Sequence, residues 1–226
     1  MADIGQAAYE TFAARGWRRT RLIDVAEQLG LSHALLYKYV EGKEALLELA
    51  VRYAMDPAAD LEAVTPLPTP SRGHILELIR RGLPVGGAFP VLRAALDAGP
   101  GGDAATELAG IIDELYGFVE RNRLLLLLLE RLVDDYPGLS SGGVGDRKRT
   151  HNALLAEFLA SRAAGGGLRP LADPEIGAHF LRESVAWFAQ HRQRDPDAAG
   201  IDDERARVAV RELLLAAFVP DPGSGR

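Results

Sequence analysis

The stretch Arg21-Leu-Ile-Asp-Val-Ala-Glu-Gln-Leu-Gly-Leu-Ser-His-Ala-Leu-Leu-Tyr-Lys-Tyr-Val40 decides how this chain is read. Leu22, Val25, Ala26 and Leu29 recur at i, i+3, i+4 and i+7, the single apolar stripe of an amphipathic helix. Gly30 stands where a helix end takes a left-handed residue, a conformation glycine adopts without steric cost. Ser32 follows as a side-chain N-cap for a second helix. Two short helices around a glycine turn are the sequence form of a helix-turn-helix. On a helical wheel of about 100° per residue, Ser32, Leu36 and Val40 share the inward face. Ala34 and Lys38 point directly away, Leu35 and Tyr37 flank them, and His33 and Tyr39 fall on the borders.

That outward set has the chemistry a DNA major groove requires. Lys38 can donate to guanine O6 or N7 or to a phosphate, and Ala34 and Leu35 can meet a thymine methyl. Tyr37 suits a phosphate, because its hydroxyl reaches past the groove edge. Lys43, opening the next helix, adds a phosphate contact helped by the positive helix N-terminus. Taken singly, each lysine also reads as a solvated side chain and Tyr37 as core. Their conjunction with the turn points to double-stranded DNA.

The net charge of −6 argues the other way until its distribution is read. Between Arg15 and Lys43 stand Arg15, Arg18, Arg19, Arg21, Lys38 and Lys43 against Asp24, Glu27 and Glu41. The recognition window is therefore basic and the remainder acidic, which fits an oriented DNA reader and excludes a general polyanion binder. No cysteine is present, so disulfide and thiolate chemistry are excluded. Asp3, Gln6 and Glu10 interrupt any apolar leader near the start, and the leucine run 124–129 is far too short to span a bilayer. A cytoplasmic location with no membrane partner is expected. Arginine-, alanine- and glycine-rich usage fits a GC-rich bacterial genome.

Outward from the motif, nearly every segment is helical in pattern and no alternating strand appears. Ile4, Ala8 and Phe12 make a first stripe ending at Gly16, and 43–55 a connecting helix. Residues 1–55 are thus expected as a DNA-binding domain and 56–226 as a larger helical domain. The prolines at 57, 66, 68 and 70 make 56–70 a linker or loop. Helices are predicted over roughly 71–82, 90–98, 104–135 (two helices or one bent), 146–163, 174–192 and 202–219. Glycines 142, 143 and 145 mark a mobile connection. The fold class is all-α. The last two helices are apolar on more than one side, which reads either as a homodimer interface through Phe180, Val185, Phe188, Leu214 and Phe218 or as extra burial within the chain.

Segment 4–46 resembles the N-terminal domain of the tetracycline-repressor (TetR) family. The residues that carry the resemblance are Ile4, Ala7 and Phe12, Gly16-Trp17, Thr20, Asp24-Val25-Ala26, Gly30-Leu31-Ser32, Leu36-Tyr37 and Lys43-Glu44-Ala45-Leu46. Downstream, Gly167-Leu-Arg169 and Asp173-Pro-Glu175 are similar to the join before that family's dimer-forming helices. The resemblance implies an all-helical homodimer, a repressor's activity on a near-palindromic operator, and a C-terminal domain that binds a small-molecule effector. It also implies an effector pocket between helices of 71–192, for which Phe89, Tyr116, Phe118, Arg123, His151, Phe158 and Trp187 are candidates. Plain core packing is the other reading of each. Two positions depart from the pattern: Ile23 stands where an arginine is frequent, with Arg21 available to substitute, and Tyr39-Val40 replaces the usual His-Phe. Operator sequence therefore does not transfer.

His151, His179 and His191 have no metal-ligand spacing, so neither metal nor cofactor is expected. No nucleophile elbow, phosphate loop or other catalytic constellation is present, so no enzyme is expected. A ligand-independent, chromosome-organising protein of the same fold is the alternative function.

Overall fold

The computed structural model describes residues 1–221 except 60, 62, 63, 84–88, 137 and 140–143, and gives only the backbone of 144–147. Eleven α-helices and two 3-10 turns are assigned among the described residues, with no β-strand. None of those helices is long and apolar enough to cross a membrane. The chain divides into two compact units, one of residues 1–85 with 124–146 and one of 86–123 with 147–226.

The first unit holds α1 (Ala2–Arg19), α2 (Leu22–Gln28), α3 (His33–Leu36), α4 (Lys43–Met55) and α5 (Arg72–Gly82). α1 runs along α4, and their inward stripes bury Ile4, Ala8, Phe12, Leu46, Leu47, Ala50 and Val51. The predicted stop at Gly16 is a kink rather than an end. Gly16 has φ 75°, the helix resumes through Arg19, and the Thr20 hydroxyl donates to the Gly16 carbonyl at 2.8 Å. Ser71 caps α5 by accepting from the His74 N–H. The proline-rich segment before it is less free than a linker reading implies. Its Leu67 forms a parallel bridge with Val40.

The second unit comprises α6 (Pro90–Ala98), α7 (Ala104–Arg121), most of α9 (Val144–Ala164), α10 (Pro174–Ala189) and α11 (Asp203–Phe218). α8 (Arg123–Leu132) belongs to the first unit but for its opening residue. The predicted 104–135 element is therefore two helices, broken at Asn122, whose side-chain amide turns back to the Phe118 carbonyl at 2.8 Å. Local caps explain why the other boundaries fall where they were read. Asp103, Asp173 and Asp202 each accept backbone N–H groups at the first turn of α7, α10 and α11, and Pro174 stands at the start of α10. In the leucine run, Leu125, Leu127, Leu128 and Leu129 are buried, as a helix centre requires. Glycines 142 and 143 lie outside the described residues, and the backbone of Gly145 is already within α9.

α10 and α11 each have two apolar faces, but the split differs from the residues first chosen for an interface. Val185, Leu214 and Phe218 are buried within the unit, and Phe188 is half-buried. Phe180 is exposed, joined on the outer surfaces by Ile176, Trp187, Val208 and Leu213.

Candidate nucleic-acid interface

The helix-turn-helix is built by caps at each joint. Arg21, in extended backbone, donates its N–H to the Asp24 carboxylate at 2.8 Å, and its carbonyl accepts from the Asp24 N–H. Arg15 reaches the same carboxylate at 2.8 Å. Burial works to raise the Asp24 carboxyl. The Arg21 hydrogen bonds and the charges of Arg15 and Arg21 outweigh it and hold Asp24 below the ordinary carboxylate value. The charge that opens α2 is thereby kept.

At the other end of α2, Gly30 has φ 67° and donates to the Glu27 carbonyl, while Leu31 donates to that of Ala26. These two bonds are the Schellman closure, and they require a left-handed residue at Gly30. Ser32 then caps α3 by accepting from the Leu35 N–H at 3.1 Å.

α3 itself is shorter than predicted. Regular helix covers only His33–Leu36, although helical turns continue as Lys38 donates to Leu35 and Val40 to Leu36. The reason lies outside the motif: the Tyr39 carbonyl accepts from Leu67 at 2.8 Å, and Glu41 donates to the Leu67 carbonyl at 3.0 Å. The Glu41 carboxylate also accepts from the Thr69 N–H. The 64–70 segment thus claims backbone groups that a longer helix would have used.

The outward face survives this shortening. Leu36 and Val40 are fully buried, while His33, Ala34, Tyr37, Lys38 and Tyr39 are exposed and Leu35 is half-buried. Tyr37, at 46% exposure, meets His33 edge-on at 4.8 Å, so two rings brace each other on the surface. Arg21 is exposed as well. Lys43 is placed differently from a free phosphate donor. Its ammonium rests 4.4 Å from the centre of the Trp17 ring, and burial there lowers its pKa. Trp17 in turn stacks on Phe12 and meets Tyr136 edge-on. Trp17 is thus a positioning residue for Lys43 that helical periodicity did not single out.

The seven effector candidates separate in the second unit. Phe89, Phe118 and His151 come together, with ring centroids 5.0 Å apart for Phe89–Phe118 and 4.0 Å for Phe89–His151. Tyr116 is fully buried, with the Arg207 guanidinium over its ring. Arg123 donates to the Ala189 carbonyl at 2.8 Å, closing the end of α10, and pairs with Asp203. Arg192, unnoticed in the sequence, is buried against the same Asp203 and the Ile201 carbonyl. Phe158 is core beneath the Arg162 guanidinium. Trp187 stands exposed on α10 against Phe188.

An exposed recognition-helix face on a capped three-helix unit defines a helix-turn-helix DNA-binding regulator. Residues 4–50 match the family model for bacterial regulatory proteins, tetR family. No curated protein matches the chain by sequence. Solved structures similar to nearly the whole chain include the ketosteroid transcriptional regulator KstR2 of Mycobacterium tuberculosis. It shares 16% identity at a TM-score of 0.54, over 96% of this chain and 94% of that one. AibR in complex with isovaleryl coenzyme A and operator DNA shares 18% identity at 0.54, over 95% and 97%. A regulatory protein of the tetR family from Rhodococcus RHA1 shares 19% at 0.53, over 97% of each. At such identities the likeness establishes the fold.

Proposed function

We propose that the protein is a transcriptional repressor that binds a near-palindromic operator as a homodimer and is released from it by a small molecule. The observation that carries the reading is the α3 face: Ala34, Tyr37, Lys38 and Tyr39 exposed over fully buried Leu36 and Val40. Each protomer lays that face in a major groove, with Arg21, His33, Leu35 and Lys43 at its edges. Residues 1–55 act as the DNA-binding domain and 56–226 as the effector-binding and dimerisation domain. The outward apolar residues of α10 and α11, led by Phe180 and Leu213, supply the twofold interface. The AibR complex with isovaleryl coenzyme A and operator DNA supports a small-molecule effector, which in this chain alters the spacing of the two recognition helices. A coupling of about 1–3 kcal/mol suffices for such a switch.

Gel-shift titration tests the reading. Tyr37→Ala is expected to weaken binding to every DNA sequence while leaving the oligomeric state unchanged. Six phosphate contacts per dimer give a logarithmic salt slope of about −5. A slope near zero, or unchanged affinity in Tyr37→Ala, contradicts groove docking by this face. Leu213→Glu is expected to give monomers in sedimentation, and a persistent dimer removes this face from the interface.

A further inference from the structure

In the second unit the Phe89 ring lies against both Phe118 and His151. His151 is only 9% exposed, and neither of its ring nitrogens has a hydrogen-bond partner. Burial, reinforced by the charge of Arg182, lowers its pKa to about 4. At neutral pH the imidazole is therefore uncharged, with one N–H donor and one lone pair, both idle. Arg182 shows the same incompleteness. Its Nη2 meets Glu183 at 2.7 Å and His179 Nδ1 at 3.0 Å, yet its Nε–H is buried without a partner.

Buried polar groups in folded proteins nearly always find partners, and exceptions call for a reason. An idle imidazole against the Phe89 ring, with an idle guanidinium N–H on the arginine whose charge acts on that imidazole, matches one kind of guest. A carboxylate accepts from both donors, and a flat apolar body stacks on the rings. The Phe89 ring already lies against the imidazole, tilted by 35° at 4.0 Å between centroids. It is half-buried, at the N-cap of α6.

We propose that Phe89, Phe118, His151 and Arg182 form a binding site for a small carboxylate with a flat apolar body, whose ring replaces that of Phe89. The proposal rests on the effector-responsive reading above and names the chemical class of the effector.

Calorimetry on the full chain, with benzoate as probe and benzamide as its uncharged counterpart, tests the site. Benzoate is expected to bind at least about tenfold more tightly than benzamide, as a charge-assisted contact requires. His151→Leu weakens benzoate by about tenfold, and Arg182→Gln removes the preference for benzoate over benzamide. Phe89→Ala binds benzoate more tightly than the parent, a gain that misfolding does not produce. The proposal is overturned if benzoate binds neither the parent nor Phe89→Ala, if benzamide binds equally well, or if Phe89→Ala binds no more tightly than the parent. Gel shifts separate this from the functional reading. Benzoate binding with unchanged operator affinity upholds the site and refutes its role in effector-controlled release; failure of benzoate to bind, with Tyr37-dependent operator binding intact, refutes the site and leaves the operator-binding reading standing.

Discussion

His151 gives the chain an acid-sensitive stability that a single substitution should remove. The unfolded imidazole titrates near 6.5, and in the folded protein burial with the nearby Arg182 charge pushes that value down to about 4. Below pH 6.5 the unfolded chain takes up a proton that the folded chain refuses, so stability falls as pH drops through this window. Integrating between the two values gives a loss of about 2 kcal/mol at pH 5 and about 3 kcal/mol at pH 4, relative to pH 7. Asp24, Glu77 and Asp103, held below the ordinary carboxylate value, lose their contributions as pH falls from about 5, equally in parent and His151→Leu, so the difference between the two proteins belongs to the histidine. His151→Leu removes the titrating group and, because neither ring nitrogen has a hydrogen-bond partner, orphans no other group, so its stability at pH 7 should match or exceed that of the parent. Urea denaturation followed by circular dichroism at pH 7, 5 and 4 measures the difference, at one protein concentration so that any self-association contributes equally. The parent should lose about 3 kcal/mol more than His151→Leu. Parallel loss in the two proteins would refute the reasoning, because the folded imidazole would then accept its proton freely.

Two further substitutions probe groups that hold the units together internally. Arg162 is 1% exposed and bonds to Glu107 at 2.6 Å and to the Ala95 carbonyl, so Arg162→Ala leaves a carboxylate without its cation. A cost of about 3–5 kcal/mol follows, and thermal unfolding should drop by roughly 10 °C; a shift under about 2 °C would show that Glu107 finds another partner. Gly30→Ala places a Cβ in a left-handed residue with open space around it. The loss should be the conformational term alone, about 1 kcal/mol, with operator affinity reduced no more than the folded fraction; a larger DNA defect would mean that α3 had moved.

The helix boundaries were legible because their signals are local. Ser71, Asp103, Asp173 and Asp202 cap within their own first turns, and Gly30 closes α2 with atoms from the same helix. The phase of α3 was legible for a related reason: the turn anchors the wheel, so Leu36 and Val40 could be placed inward and Tyr37 and Lys38 outward. Where no such anchor exists, hydrophobicity says only that a residue will be covered. On α10 and α11 it therefore selected Val185, Leu214 and Phe218, which are covered by their own unit, and passed over Ile176 and Leu213, which are not. Buried cations were illegible for the opposite reason. Arg162 and Arg192 look like surface residues until Glu107 and Asp203 are brought to them.

The length of α3 turns on the same contrast between local and distant partners. Ser32 starts the helix from within, but Leu67 stops it from outside by taking the Tyr39 carbonyl and supplying its own carbonyl to Glu41. A segment whose prolines suggest a linker thereby sets where the exposed face of α3 ends. Tyr39 lies at that end, its side chain exposed and its backbone held, while Lys43 four residues on is drawn onto Trp17. The backbone at the C-terminal end of α3 and the Lys43 ammonium are consequently positioned by residues 67 and 17, outside the helix-turn-helix itself. Substitutions at those two positions are expected to alter contacts made by Lys38, Tyr39 and Lys43 more than those made by His33, Ala34 and Leu35, which sit nearer the Ser32 cap than the Leu67 bonds. That division follows from which hydrogen bonds hold each end of α3.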